Sequence, residues 1–478
     1  MSNKILFLLL ILPFHAALSV GQDWSYTIVV SEETDRDPAW SKVVVELKSK
    51  YPKANQITWK QSVNEALQAL SDQHPRYSCF VARPNEVTRQ YVASIHQLTR
   101  QLDQDPYCDT LWGILTGYDA ENAIRIAGEK NNLTIERVAS GTEIALSMCQ
   151  EGVWYDELEK HKKVEKTRGG VAKQEEGPAD TTEVLASTVT DPDTDLFVTS
   201  GHATERNWQI GFRYKNGFFQ SKSGKMYGRT TTGERFRIQS TTPKVYLAVG
   251  NCLMGHIDGP DAMALAWLND VGMNQMVGYT VLTWYGYSGW GILDYFLEQP
   301  GRYSLTEAFH ANQHALIHRI NSFFPSLTGK QINTGSRDLP TIEPNKAGRS
   351  LGLTSFDSRG LLWDRDTVAF YGDPAWHAKM ASMPKAYEQN LTIEDGVYTF
   401  TITPNLGEQS FAPVNTNGSQ RGGRPIVEFL PSRIKEVEIL EGQQLQPIIT
   451  DDFILVPNLV TQLQKEPLRI QFRASLVK

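Results

Sequence analysis

Short apolar runs alternate with stretches of helical periodicity along most of the chain. The runs are rich in β-branched and aromatic residues, and the stretches between them carry apolar residues three and four positions apart. The apolar runs are WSYTIVV, SCFVARP, TLWGILTG, DLFVTSGHA, KVYLAVGNC, QMVGYTVLTW and TVAFYGDP. Strands alternating with helices are typical of a mostly parallel sheet covered on both faces. The pattern therefore predicts the α/β class, in two units that span residues 22–156 and 186–385.

Two segments depart from this pattern. Residues 157–185 are highly charged and contain no aromatic side chain, which predicts an exposed loop that links the two α/β units. Residues 386–478 lose the helical periodicity and instead show short alternating stretches, such as GVYTFTITP and LRIQFRASL, separated by Gly, Asn and Pro. This second pattern predicts a small all-β sandwich at the end of the chain.

The first 21 residues predict export. Lys4 precedes the apolar run ILFLLLILPF, and small residues follow in HAALSVG. This order is that of a secretory signal peptide, and the apolar run is shorter than the roughly 20 residues that span a bilayer. We expect a secreted, periplasmic or cell-surface protein without stable membrane insertion. An uncleaved N-terminal anchor is the alternative.

The charge and the cysteine content of the chain limit the binding partners and the disulfides that we expect. The formal net charge of -7 supplies no basic field for phosphates, so we expect no nucleic-acid partner, and no motif calls for a cofactor. Four cysteines are too few for a disulfide scaffold in 478 residues. If Cys252 stays free, at most one pair forms among the other three, and Cys79 with Cys108 is the pair we predict.

His202 and Cys252 form the strongest candidate site. Each residue ends an apolar, β-rich run, FVTSGHA for the histidine and YLAVGNC for the cysteine. In an open parallel sheet, ligands and catalytic groups gather at the carboxyl ends of the strands, so neighbouring strands would bring the thiol beside the imidazole. A nearby histidine raises the thiolate fraction of a cysteine and can protonate a leaving amine.

Each of these residues also has a structural interpretation. A lone cysteine after a strand is often an inert buried residue, and a lone histidine there is often a satisfied polar group. Their separation of about 50 residues matches the upstream offset typical of a caspase histidine. The shared context and this spacing favour catalysis over two unrelated structural residues.

Four blocks of the sequence resemble the caspase/gingipain-type cysteine peptidases. LFVTSGHA and LAVGNCLMG resemble the two blocks in which that family places its His-Gly and its Cys after hydrophobic strands. AFYGDPAWHAKM (369–380) resembles the FGDPxL-type element of the gingipain branch, and TLWGILTGYDAENAIRIA (110–127) resembles its GRITG-type strand and helix. The resemblance implies two caspase-like α/β subdomains, followed by an immunoglobulin-like sandwich over 386–478.

The same resemblance implies a mechanism. Cys252 would attack the scissile carbonyl, His202 would act first as base and then as acid, and the N–H groups of Cys252 and Ala203 would bind the oxyanion. The implied function is that of an exported cysteine endopeptidase with a protein or peptide substrate. Ala203 stands where the family has glycine, and Ile114 stands where it has arginine. Ala203 in place of glycine and the lack of an identifiable third acid favour the alternative, a catalytically inactive surface or periplasmic binding module with the same fold.

No motif identifies a third catalytic acid or a specificity residue. Asp103, Asp105 and Asp109 lie in about the right region for an acid that orients the histidine, although each also fits a loop carboxylate. Asp258 and Asp261 follow the nucleophile and would favour a basic substrate side chain. Capping of a helix N-terminus is the stronger interpretation of both.

Two further features allow a functional and a structural interpretation. His310, His314 and His318 recur every four residues on one predicted helix, a spacing that suits a metal, but the expected ligand partners are missing and a partly exposed polar face is favoured. A metal-dependent hydrolase is the function this helix would imply. The stretch TWYGYSGWGILDYF, with Trp284, Tyr285 and Trp290, fits a substrate cleft or core packing equally.

Overall fold

The computed structural model describes residues 25–331, 334, 338–414, 424–457, 459 and 466–477. The predicted signal segment, residues 1–21, lies outside these ranges. The strands are β1 (Tyr26–Ser31), β2 (Asn55–Trp59), β3 (Tyr77–Val81), β4 (Leu111–Leu115), β5 (Leu133–Ile135), β6 (Arg137–Ser140), β7 (Glu151–Tyr155), β8 (Lys162–Lys166), β9 (Lys173–Glu176), β10 (Leu196–Thr199), β11 (Asn207–Gln209), β12 (Phe218–Lys222), β13 (Lys225–Arg229), β14 (Arg235–Ile238), β15 (Lys244–Ala248), β16 (Met273–Tyr279), β17 (Val368–Tyr371), β18 (Ala378–Met380), β19 (Tyr387–Glu394), β20 (Val397–Pro404), β21 (Ile426–Phe429), β22 (Ile434–Glu441), β23 (Ile448–Ile449), β24 (Phe453–Val456) and β25 (Leu468–Leu476).

Eleven α-helices connect and cover these strands within the described residues. They are α1 (Glu32–Arg36), α2 (Ser41–Lys50), α3 (Leu67–Gln73), α4 (Arg89–Leu98), α5 (Ala120–Gly128), α6 (Thr182–Thr190), α7 (Met263–Asp270), α8 (Tyr287–Phe296), α9 (Leu305–Phe323), α10 (Lys346–Ser350) and α11 (Ser355–Arg365). In the described part of the chain, none of them has the length and apolar character needed to cross a membrane.

A twelve-stranded sheet runs through the middle of the molecule. Its order is β2-β1-β3-β4-β17-β16-β15-β10-β6-β7-β8-β9. Neighbouring strands are parallel except at β16–β17, β7–β8 and β8–β9. Strands such as β1, β10 and β15 are buried along their whole length, which explains their near-continuous apolar sequences. The predicted α/β class is confirmed, with the two predicted units sharing one sheet.

A four-stranded antiparallel sheet, β11 to β14, lies between β10 and β15 in sequence and was not predicted. Its inner face is apolar, with Phe219, Met226 and Ile238 fully buried. Its outer positions are largely charged, and Gly224 and Gly228 interrupt the runs. The alternation is therefore too short and too polar to stand out from the sequence.

The charged segment 157–185 also differs from its prediction as a loop. It contributes β8 and β9, which extend the large sheet at its edge through antiparallel pairing. Lys163 Nζ contacts Glu175 of β9 at 3.0 Å across this pair of strands and Glu165 of its own strand at 2.5 Å. The segment is charged because an edge hairpin exposes most of its side chains to water. For this reason the composition of the segment resembles that of a loop.

The predicted β-sandwich at the end of the chain is confirmed. One sheet has the order β19-β20-β25-β22 and the other β21-β24-β23. Phe400 and Phe472 of the first sheet share a core with Ile454 and Val456 of the second. Alternate residues of β24, Phe453 and Leu455, face the opposite way and join the core of the α/β region.

The predicted disulfide is wrong, because Cys79 and Cys108 are both free. Cys79 lies in β3 opposite Gly113 of β4, whereas Cys108 precedes that strand and its thiol donates to the Thr110 carbonyl at 3.1 Å. Several residues of extended chain separate the two sulfurs, and a disulfide needs Cα atoms within about 7 Å.

Candidate active site

His202 and Cys252 emerge from adjacent parallel strands. β10 pairs with β15 in a register that sets Thr199 opposite Ala248, the last residues of the two strands. Both loops therefore leave the sheet at the same edge, as the sequence predicts. The two loops are in close contact. A Cβ added at Gly250, in the cysteine loop, would lie 2.2 Å from the hydroxyl oxygen of Ser200, in the histidine loop.

Asn251 connects the two loops directly. Its side-chain amide donates to the Gly201 carbonyl at 3.1 Å, and its side-chain oxygen accepts from the Thr199 hydroxyl at 2.5 Å. Asn251 is fully buried, so these hydrogen bonds are protected from water. The residue before Cys252 is thereby held against the residue before His202.

Cys252 differs from the other three cysteines in accessibility. Burial raises the pKa of the Cys108 and Cys149 thiols to about 12, whereas Cys252 is partly exposed. The Thr283 amide donates to its sulfur at 3.2 Å, and the Thr283 hydroxyl donates to the Asn251 carbonyl at 3.0 Å. These contacts fix the sulfur at the end of the sheet.

The backbone after Cys252 is strained. Leu253 has a φ of +60°, a left-handed conformation that is uncommon for a leucine. Strain of this kind persists only where the surrounding structure imposes it, and it clusters at functional sites. The amide of Leu253 donates to the Val281 carbonyl at 3.0 Å, which anchors the turn that presents Cys252.

His202 is exposed, and its ring lies on the ring of Phe212 with centroids 4.5 Å apart. Its carbonyl accepts from the Gln209 amide at 2.8 Å. Ala203 faces Trp208 in an isolated antiparallel bridge whose hydrogen bonds use the flanking residues. The Ala203 N–H therefore points away from that strand.

Glu157 is a buried acid beside the histidine loop that the sequence analysis missed. One carboxylate oxygen accepts from the Thr142 hydroxyl at 3.1 Å. The other has no hydrogen-bond partner of ordinary geometry among the described residues, and a Cβ added at Gly201 would lie 3.2 Å from it. Burial raises the pKa of Glu157 to about 7, although the Ser200 side chain interacts with the carboxylate and opposes this rise.

The backbone of Glu157 also supports the histidine. Its carbonyl accepts from the amides of Phe212 at 2.6 Å and Arg213 at 3.2 Å, so it holds the segment on which the His202 ring lies. In the sequence, Glu157 is hidden within a charged run. The signal that would have revealed it is its position just after β7, a strand parallel to β10 and separated from it by β6.

The three carboxylates considered as the third acid lie elsewhere. Asp103, Asp105 and Asp109 cluster with Asp451, which precedes β24 of the sandwich, and not with the His202 loop. Burial raises the pKa of Asp109 to about 10. Arg433 donates to the Asp109 carbonyl and to the Asp451 carboxylate, so this cluster joins the α/β region to the sandwich.

Asp258 and Asp261 do not cap a helix, contrary to the favoured interpretation. α7 has Ala262 at its N-cap, without a side-chain hydrogen bond. Asp258 forms a two-bond ion pair with Arg206 at 2.5 and 2.9 Å, and Asp261 accepts from the Ser223 amide at 2.6 Å. The Asp258 carboxylate is thus already compensated by a cation of this chain.

The histidine helix is buried, and the expected partly exposed polar face is wrong. Desolvation lowers the pKa of His314 to about 3 and of His318 to about 4. The Trp112 amide donates to His310 Nε2 at 2.9 Å, and the His314 ring stacks on Phe453 at 4.2 Å. Within the described residues, the four aspartates named above are the potential metal ligands that lie close enough to share one ion. The three histidines are not part of that group.

The aromatic stretch after β16 borders the cysteine. Trp284 follows Thr283, whose amide contacts the Cys252 sulfur, and its ring stacks on Trp363 with centroids 5.2 Å apart. Trp284 is 41% exposed, so it presents an apolar surface to solvent beside the thiol. Tyr287, by contrast, is buried in the core of α8 and α9.

No protein-family model matches the chain, and no curated protein matches it. Among solved structures, the chain is similar to the complex of Porphyromonas gingivalis RgpB pro- and mature domains. The identity is 10%, the TM-score is 0.45, and the match covers 92% of this chain and 95% of that chain. Similarity at this level assigns no family, so the case for a function rests on the site itself.

Proposed function

We propose that the protein is a cysteine endopeptidase that hydrolyses peptide bonds through Cys252 and His202. The observation that carries this proposal is the Asn251–Gly201 hydrogen bond of 3.1 Å, which holds the thiol loop against the imidazole loop at one edge of the sheet. An accessible thiol beside an exposed imidazole is the arrangement that nucleophilic catalysis requires.

The proposed reaction has two steps. His202 takes the proton of the Cys252 thiol, and the sulfur attacks the scissile carbonyl to form a tetrahedral intermediate. That intermediate collapses to a thioester as His202 protonates the leaving amine. A water molecule, activated by His202, then hydrolyses the thioester and releases the acid product.

Backbone amides are proposed to stabilise the oxyanion. The Ala203 N–H points away from the strand that faces it, so the bridge does not use it and it is the donor we propose for the oxyanion. The φ of +101° at Gly201 turns the chain just before His202 and supplies the flexibility that Ala203 lacks. A preorganised N–H donor at this position contributes more in a partly desolvated site than in water.

Glu157 is proposed as the acid that orients His202. Its carboxylate oxygen without a hydrogen-bond partner is buried next to Gly201, the residue that precedes the histidine, and the proposal requires the ring N–H of His202 to turn towards it. A buried acceptor without a partner is costly, so this hydrogen bond would also remove a local penalty.

Ile114 lies in the core of the sheet rather than at the proposed site. It is fully buried in β4, between Phe80 of β3 and Tyr371 of β17. The absence of arginine at this position therefore removes no group from the edge that carries Cys252. Residues 1–21 support export of the enzyme before it acts on its protein or peptide substrates.

Turnover of a mixed peptide library under reducing conditions tests the proposal. The chain without residues 1–21 is compared with its Cys252→Ala and His202→Ala variants, and Cys149→Ala, a buried cysteine, is the matched control. We expect cleavage by the wild type and the control, and its loss in the two site variants. A folded wild type that cleaves no peptide would instead support the inactive binding module.

A further inference from the structure

The antiparallel sheet β11 to β14 has two contrasting faces. Phe219, Met226 and Ile238 point inward and are fully buried. The opposite face is exposed and carries five cations on three neighbouring strands. This cationic sheet face consists of Lys222, Lys225, Arg229, Arg235 and Arg237.

The strand register places like charges directly opposite each other on this face. Lys222 pairs with Lys225 across β12 and β13, and Arg229 pairs with Arg235 across β13 and β14. Directly opposed like charges destabilise an antiparallel pair. Two such pairs in one small sheet, within a chain of net charge -7, indicate a surface shaped by an anionic partner.

Little of this charge is neutralised within the chain. Arg237 pairs with Asp270 at 2.7 Å, and the guanidinium groups of Arg235 and Arg237 both lie 5.1 Å from the ring of Tyr227. Within the described residues, no carboxylate forms an ion pair with Lys222, Lys225, Arg229 or Arg235. The positive charge of Lys225 also acts on the Asp270 carboxyl. Lys222, Arg229 and Arg235 therefore remain, within the described residues, as the cations of this face without a carboxylate partner.

The cationic sheet face is continuous with the proposed active site. β11 follows the His202 loop, and the Gln209 amide of β11 donates to the His202 carbonyl at 2.8 Å. Strands lie about 5 Å apart, so β13 is about 10 Å from β11. A polypeptide held at Cys252 needs only a few more extended residues to reach this face.

We propose that the cationic sheet face binds an acidic stretch of the polypeptide substrate, outside the bond that is cleaved. This inference rests on the proposed peptidase function for the identity of the polypeptide. Along β13 the outward residues Lys225, Tyr227 and Arg229 recur about every 6.7 Å, the interval at which an extended peptide presents alternate side chains. Lys225 and Arg229 are therefore about 13 Å apart along β13, a spacing that matches carboxylates at every fourth residue of an extended acidic peptide.

Binding of a fluorescein-labelled acidic peptide, an alternating Glu-Gly 12-mer, tests the inference. The protein is the Cys252→Ala variant, so that binding is measured whether or not the chain is a peptidase. We expect affinity that falls steeply with added salt. The double charge reversal Lys225→Glu with Arg229→Glu should weaken binding at least tenfold, whereas Lys42→Glu with Lys48→Glu, an equal charge change on α2, should leave it within about twofold.

A second readout separates binding from folding. Because Lys225→Glu and Arg229→Glu convert opposed like charges into opposite charges, this variant should have an unchanged or higher Tm while it binds less. In the catalytic chain, an acidic tract appended to a cleaved peptide should lower KM without changing kcat, and the reversal should remove that gain.

Three results would overturn the inference. They are the absence of salt-sensitive binding, equal weakening by the two charge reversals, and binding of a sulfated polysaccharide without binding of the acidic peptide. If the acidic peptide binds as expected but no peptide is cleaved by the wild type, the surface stands and the proposed peptidase function fails.

Discussion

The two histidine regions of the molecule, the His202 loop and the helix of His310, His314 and His318, both carry side chains suited to catalysis or metal binding, but they have opposite environments in the structure. His202 is exposed at the carboxyl edge of the sheet, in a loop tied to the cysteine loop by Asn251. His314, in the middle of α9, is fully buried and stacks on Phe453 of the sandwich. The regular spacing places the three histidines on one side of α9, and that side faces the core.

The comparison shows that the position of a histidine relative to the sheet edge indicates its exposure better than regular spacing along a helix does. A buried imidazole without hydrogen-bond partners stays neutral, and it serves as an aromatic side chain at an interface. An exposed imidazole whose loop adjoins a buried carboxylate and the loop of an accessible thiol is suited to accept and return a proton. Substitutions in the two regions should therefore separate catalysis from stability.

The largest expected effect is that of His202→Ala. Loss of the proposed base should lower kcat by about 10³-fold, because general acid–base catalysis contributes on that scale. The Tm should change little, since the side chain is exposed. The matched variant is His318→Ala on α9, which should lower the free energy of unfolding by about 1 to 3 kcal/mol and leave the kcat of the folded protein unchanged. The reverse pattern would contradict the assignment.

Glu157→Gln should have the next largest effect. If Glu157 orients His202, the amide should lower kcat by about 100-fold with little change in KM. Because the pKa of Glu157 is raised to about 7, its carboxylate forms as the pH rises through neutrality. The kcat of the wild type should therefore rise between about pH 6 and pH 8 through this group, and the variant should lack that rise. An unchanged pH profile in Glu157→Gln would limit the residue to a structural role.

The smallest expected effect is the pH-dependent stability of His314→Phe. The pKa of His314 is about 3 in the folded protein and about 6.5 in the unfolded chain, so the unfolded state binds more protons below pH 6.5. The contribution of the histidine is complete above that pH and falls by about 1.4 kcal/mol per pH unit below it.

His314→Phe removes the group that binds a proton in the unfolded chain and keeps an aromatic ring against Phe453. Arg76 is the charged group that acts on His314 and further disfavours its protonation. The variant should match the wild type in chemical unfolding at pH 8 and become relatively more stable from pH 6 to pH 4. A pH-independent difference would show that His314 is not a buried neutral group.

Much of the α/β core could be predicted from sequence because its strands are apolar on both faces. β10 and β15 end at Thr199 and Ala248, just before the loops that carry His202 and Cys252, and these fully buried strands leave continuous runs of Val, Leu and Phe. Among the strands that were missed, β12 to β14 alternate between buried and exposed residues and carry charges on the exposed face. Amphipathic strands of four or five residues give too few alternations to distinguish them from loops.

The site could be predicted only in part. The thiol and the imidazole follow recognisable strands, whereas Glu157 reaches the His202 loop by pairing of β7, β6 and β10, a relation that depends on the strand order. Asn251 lies in the cysteine block, but its link to Gly201 arises from the register of β10 and β15. Contacts set by register are not visible in a single sequence.

The most direct test of the central claim is alkylation of the wild-type chain by iodoacetamide, with the modified residue mapped by mass spectrometry and peptide turnover measured in parallel. We predict that Cys252 reacts before the buried Cys79, Cys108 and Cys149, that turnover falls in proportion to its modification, and that a chelator has no effect. Turnover that survives complete alkylation of Cys252 would contradict the assignment of this thiol as the nucleophile.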